Sequence, residues 1–356
     1  MNKTLVLLEA KHDNPEHHRG VEYYPFLFSL LRSSGWNVQW WVVPVPPTRV
    51  AQSGQYRLDV SAKSAALLAR GLATLQPARV ITNSVLSDGL ASTLGAAHPG
   101  TALICIADVI DYFTSASDAA AALLGPDGAT GAPPGLLTEV LDPIFERRYL
   151  STALRDAPTQ SHRLAVPIVC YYRRSVADNP FYAQLDPAVF KDFKGCTFCF
   201  LPVITSLAAS RPRPVRALVE TTLKQIVAHQ RDAGARTTHF RYVVDQSPVG
   251  EKIDLLLERV AALELRPSAF VAMLRPDTLL RRGHRLDAAL SKLSEGGHHL
   301  RLVSIGADNL SDVENERFNK GVELDQVERA VALLDELEAS SPRTFVWRRH
   351  GGFGLI

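Results

Sequence analysis

Short apolar runs alternate with amphipathic stretches along most of this chain, and that alternation admits few folds. "TLVLLEA", "WNVQWWVVPV", "ARVITNSV" and "TALICIAD" read as buried strands, separated by the helical patterns "VEYYPFLFSLLRSSG", "SAKSAALLARGLATLQ" and "DGLASTLGAA". Strands this uniformly apolar are buried on both faces, which requires crossover helices above and below a parallel sheet. The expectation is an α/β fold with an N-terminal doubly wound parallel sheet over residues 1–123. "LGPDGATGAPPG" then interrupts the pattern as a loop. "LLTEVLDPIFERRYL" is read as a connecting helix, giving a linker region at 124–162.

A second alternating region occupies 163–356. Its strands are read at "HRLAVPIVC", "THFRYVVD", "SAFVAML", "HLRLVSIGAD" and "RTFVWRRHGGFGLI". The helices between them include "ELDQVERAVALLDELEAS", whose Leu324, Val327, Val331, Leu334 and Leu337 form one apolar stripe. Strand–helix repeats in this order predict a partial (β/α) barrel. Its last strand ends with the chain and would leave an uncovered edge, so the barrel is expected to be incomplete at its C-terminus.

Composition narrows the function classes. A 46% apolar chain of 356 residues can bury one or two sizeable cores. The net charge of +2 comes from dispersed Lys and Arg, which gives no footprint for nucleic acid or a membrane surface. The N-terminal apolar run is too short for a signal peptide, and no run approaches the ~18 apolar residues of a membrane span. A soluble, cytoplasmic protein is expected. Four cysteines do not make a disulfide framework in a chain of this length.

The cysteines carry the most specific chemistry. Cys196 and Cys199 form a CxxC in "FKGCTFCF". Such a pair could hold zinc, cycle as a disulfide, or ligate an iron–sulfur cluster. Zinc would want a second CxxC or an HxxxH nearby. A thioredoxin-like role would place the pair at a helix start beside the N-terminal βαβ unit. Cys170 falls at the C-terminal end of an expected parallel strand, where ligands gather in such folds, although a buried strand thiol is the plainer reading. Cys105 is expected to be buried in the first domain.

From "GCTFC" onward the second region resembles the cobalamin-associated branch of the radical S-adenosylmethionine superfamily. The resemblance covers roughly residues 163–356 and rests on order: a strand, a cysteine loop, a helix, "YVVD", "AMLRPDTL", then "LVSIGADNLSDVENERFNKGVELDQVERAVALLDEL". It implies a 4Fe–4S cluster on three thiolates, with the open iron binding S-adenosylmethionine. The family spacing CxxxCxxC would put its first cysteine at Asp192, so Cys170, Cys196 and Cys199 are the implied ligands, with an insertion of 25 residues between the first two. Asp245, Arg275 and Asp308 are the implied contacts to S-adenosylmethionine; otherwise they are a helix cap, a solvated strand end and a turn residue. A small-molecule substrate and a reductase or ferredoxin-type electron donor are implied as partners.

The first domain is similar to a cobalamin-binding Rossmann-like domain. His17 and Gly20 supply an HxxG after the first strand, with Pro15 in place of the usual aspartate, and Ser84 and Leu86 supply an SxL after the third strand. The resemblance therefore implies a cobalamin-dependent radical enzyme acting by methylation or rearrangement. Against it stand a non-catalytic binding module and a zinc-stabilised scaffold built on the same folds.

Overall fold

The computed structural model describes residues 3–11, 21–44, 57–58, 60–83, 85–106, 115–125, 130–166, 172–190, 193–199, 214–244 and 247–347. The fold is α/β, as expected. Two five-stranded sheets are present, and contacts divide the chain into two compact units. One comprises Met1–Ala165 with Lys224–Phe240; the other comprises Val166–Leu223 with Arg241–Ile356.

The first sheet contains β1 (Thr4–Lys11), β2 (Asn37–Pro44), β3 (Arg79–Thr82), β4 (Ala102–Cys105) and β5 (Arg147–Tyr149). Their order is β4-β3-β1-β2-β5, with every pairing parallel. The order reverses at β1, which is the hallmark of a doubly wound sheet. Adjacent tryptophans on β2 show why both faces are covered. Trp40 packs with Tyr24, Phe26 and Leu27 on one side, while Trp41 packs with Leu68, Leu72 and Val80 on the other. Full burial of each large side chain contributes on the order of 2–3 kcal/mol. The helix Ala62–Leu75 comes so close that a Cβ at Gly71 would lie 2.7 Å from the Trp41 ring. At the C-terminal end of the sheet Asn83 clips β1: the Ala10 N–H donates to its Oδ1 at 2.7 Å, and its Nδ2 donates back to the Ala10 carbonyl at 3.4 Å.

The second sheet contains β6 (Thr159–Arg163), β7 (His239–Val244), β8 (Ser268–Met273), β9 (His299–Ser304) and β10 (Phe345–Trp347). Its order, β10-β9-β8-β7-β6, is strictly sequential, as repeated right-handed βα units require. The helices Ile253–Ala261, Pro276–Glu295 and Leu324–Ser340 follow β7, β8 and β9. The last has a capping box, formed by Glu323 and Gln326, and buries Val327, Ala330, Leu334 and Leu337. Among the described residues no helix is long and apolar enough to cross a membrane.

Two local expectations are corrected. "LLTEVLDPIFERRYL" is not one helix: only Leu137–Val140 is helical, and Arg147–Tyr149 is the edge strand β5. Pro143 explains the break, since proline lacks the N–H and clashes with the preceding turn. The strand read at 162–170 begins earlier, at Thr159, and is no longer a strand at 164–166; 167–170 lie outside the described residues. A helix also goes unread in the sequence at Ala116–Leu124, capped by the Ser115 hydroxyl.

Candidate functional site

Four of the residues singled out in the second region line one cleft of about 200 Å³: Cys196, Cys199, Arg275 and Asp308. Ser247, Met273, Leu274, Ser304 and Gly306 complete much of its wall. These follow or end β7, β8 and β9, so the cleft lies at the C-terminal ends of three neighbouring strands, where parallel βα folds present their ligand sites.

The cysteine turn is held by a built framework. Gly195 takes a φ of +96°, and its N–H donates to the Arg174 carbonyl at 2.9 Å. The Thr197 N–H donates to the Phe318 carbonyl at 2.9 Å, and the Cys199 N–H closes the turn on the Cys196 carbonyl at 3.1 Å. Asn319 is fully buried and left-handed (φ +50°), a conformation asparagine tolerates. Its side-chain amide donates to the carbonyls of Gly195, at 2.8 Å, and Arg174, at 3.1 Å. The thiols differ in access: Cys196 is buried and Cys199 half-buried.

The insertion before the cysteine turn is anchored to the same segment. Arg174 makes a two-pronged bond to Glu316 at 2.7 and 2.6 Å, and that contact holds the Glu316 carboxyl below its usual range. Asn179 and Tyr182 donate to the Glu316 and Arg317 carbonyls, each at 2.6 Å. A Ser175–Lys194 bridge brings the two ends of the insertion together. Tyr172 thereby lies against the cleft wall, with the Arg275 guanidinium 4.5 Å from its ring centre.

The expected contacts have structural partners of their own. Arg275 precedes the helix Pro276–Glu295 and is 5% exposed, so it is not a solvated strand end. Its Nε donates to Asp277 at 2.9 Å and its Nη2 to the Lys320 carbonyl at 3.0 Å. Burial alone would raise the Asp277 carboxyl, but Arg275 and Arg281 outweigh it and hold the group low. Asp308 is left-handed (φ +57°) and is ion-paired with Lys320. The Lys320 ammonium also lies 5.6 Å from the Phe198 ring, inside the cysteine turn. The position of Lys320 between Asp308 and Phe198 is a tertiary fact that no local pattern in "FNKG" discloses.

Cys170, Asp192, Asp245, His17, Gly20 and Ser84 lie outside the described residues. Leu86 belongs to a two-residue strand, Val85–Leu86, paired in parallel with Arg57–Leu58. Cys105 is half-buried rather than buried, because β4 is an edge strand. Among the described residues no three His, Cys, Asp or Glu side chains are grouped to hold a metal. The described donors thus account for two of the three thiolates that a site-differentiated cluster needs.

No family model and no curated protein matches the chain. Among solved structures it is similar to the cobalamin-dependent S-adenosylmethionine radical enzyme OxsB with aqua-cobalamin bound, at 12% identity and a TM-score of 0.44, over 97% of this chain and 49% of that one. The apo, selenomethionine-labelled form of OxsB gives 10% identity and a TM-score of 0.38, over 97% and 48%. The chain therefore spans about half the length of OxsB. A likeness of this size leaves function to be argued from the residues themselves.

Proposed function

We propose that this protein is a radical S-adenosylmethionine enzyme whose cluster and S-adenosylmethionine are bound in the cleft at the C-terminal ends of β7–β9. The observation that supports this most is the meeting of Cys196, Cys199, Arg275 and Asp308, which come from three separate stretches of chain, on one cleft. Cys170 is the third thiolate in this reading. The clasp between the two ends of the insertion, and the seat of Tyr172 beside Arg275, favour a return of that stretch toward the cleft.

When bound, the cluster would supply the electron that cleaves the sulfonium of S-adenosylmethionine. The chain's own residues would provide the setting. The Gly195 turn and Asn319 fix the backbone that carries both thiols. Asp308, seated by Lys320, offers a carboxylate oxygen to hydroxyl donors, and the buried Arg275 adds positive potential for a carboxylate. Phe198, Met273 and Leu274 would limit water at the reacting centre.

The first unit is proposed as a corrinoid-binding domain, supported in the sequence by the HxxG of His17 and Gly20 and the SxL of Ser84 and Leu86, and in the fold by the doubly wound sheet of that unit. With residues 163–356 as the catalytic portion, the reaction class would be radical methylation or rearrangement of a small molecule, fed by a reductase or ferredoxin-type donor. Anaerobic reconstitution with iron and sulfide, followed by reductant and S-adenosylmethionine, tests the reading. Formation of 5′-deoxyadenosine is expected. A chain that incorporates zinc but no iron, or iron without cleavage, would instead support the scaffold or binding-module reading.

A further inference from the structure

The first unit carries a cleft of about 650 Å³ beside the N-terminal half of β2, at the opposite end of the sheet from the Asn83 clip. Its lining includes Arg32, Arg147, Arg148, Arg155 and Arg231 against the carboxylates Glu146 and Asp232, and with the buried Glu9 paired to Arg147 behind them a formal excess of two positive charges remains. Both carboxylates are already bonded to arginine: Glu146 to Arg32 at 2.8 Å, and Asp232 to Arg147 at 2.5 Å. The Arg148 guanidinium stands over the Trp41 ring. Arg155 and Arg231 are exposed, and their guanidinium groups form no ion pair among the described residues.

Arg147 adds an independent sign of a missing acceptor. Its side chain is 1% exposed and enclosed by the rings of Trp40, Phe145 and Tyr149. Nε is satisfied by Asp232, yet Nη2 is buried without a hydrogen-bond partner among the described residues. A buried guanidinium N–H normally has an acceptor, supplied by protein, ordered water or a ligand. Next to it, β2 extends past the start of β5. Pairing covers Trp40–Val42 only, which leaves the edge of Asn37–Gln39 facing the cleft.

We infer that this cleft binds a small polyanion carrying two or more phosphate or carboxylate groups. Guanidinium forks match the oxygen pairs of both acids, and the volume suits a metabolite-sized ligand. The site is independent of the cysteine cleft and of the radical-enzyme reading.

Calorimetric titration of the full chain at low salt with inorganic pyrophosphate and, separately, with citrate tests the inference. Saturable one-to-one binding of either is expected, weakening as sodium chloride is added. Pyrophosphate alone would assign phosphate chemistry, citrate alone carboxylate chemistry, and both the shared oxyanion site. Arg155→Gln and Arg231→Gln should each weaken binding about tenfold, as loss of a charge-assisted hydrogen bond does, with circular dichroism unchanged. Arg285→Gln, an exposed arginine of the other unit, should leave it unaltered. Failure of both anions to bind at millimolar concentration, or equal weakening by all three substitutions, would overturn the inference.

Discussion

In the second unit the Lys320 ammonium is ion-paired with the Asp308 carboxylate, and the two side chains are 6% and 16% exposed. A pair with so little access to water is costly to break from one side, because the remaining charge stays where water cannot reach it. Lys320→Met should therefore lower unfolding stability by about 2–4 kcal/mol in urea titration. Adding Asp308→Asn should restore most of that loss, since asparagine keeps the left-handed backbone and carries no charge. A single variant as stable as wild type would show that the pair does not order the cleft.

Gly321 is required twice over. Its φ is +60°, and a Cβ there would lie 2.6 Å from Tyr172 Cζ. Gly321→Ala should cost about 2–4 kcal/mol, combining left-handed strain with overpacking. In a Tyr172→Leu background the same change should cost only the backbone share, about 1–2 kcal/mol. Equal costs in both backgrounds would mean that Tyr172 is not packed on this turn.

Lys11 gives a pH signature in the first unit. Burial is the main cause, and the charge of Arg147 the second, that pushes its amine down from 10.5 to about 8, against Glu9 and Asp232. The folded state therefore releases this proton before the unfolded chain does. Stability relative to a Lys11→Met variant should be constant below pH 8, then rise by about 3 kcal/mol as pH climbs to the unfolded value near 10.5. Urea midpoints of both proteins across pH 7–10 test it; parallel curves would place the amine in water.

The strand-and-helix alternation was legible because parallel strands buried on both faces carry continuous apolar runs, as Leu5–Leu8 of β1 and Trp40–Val43 of β2 do. The meeting of Cys196, Cys199, Arg275 and Asp308 was foreshadowed for a related reason: each sits at or beyond a strand end on the side where such sheets gather their loops. Arg147 was opaque. A strand reading "RRY" looks solvated, and the rings of Trp40, Phe145 and Tyr149, with the carboxylates of Asp232 and Glu9, make burial of that guanidinium tolerable. Lys320 was opaque too, because its partner Asp308 is brought to it across the intervening helix Asp312–Arg317 and not by a helical or strand period. The helix Ala116–Leu124 was hidden by its alanines, which satisfy a helical period without marking an apolar stripe.

The most direct measurement is iron bound per chain after anaerobic reconstitution, compared among wild type, Cys196→Ala, Cys199→Ala, Cys170→Ala and Asp192→Ala. Thiolates hold the cluster, and loss of one leaves an iron labile. Wild type and Asp192→Ala should each bind about four irons with matching cluster absorbance, and the three cysteine variants should lose most of both. Iron contents indistinguishable across all five proteins would contradict the account.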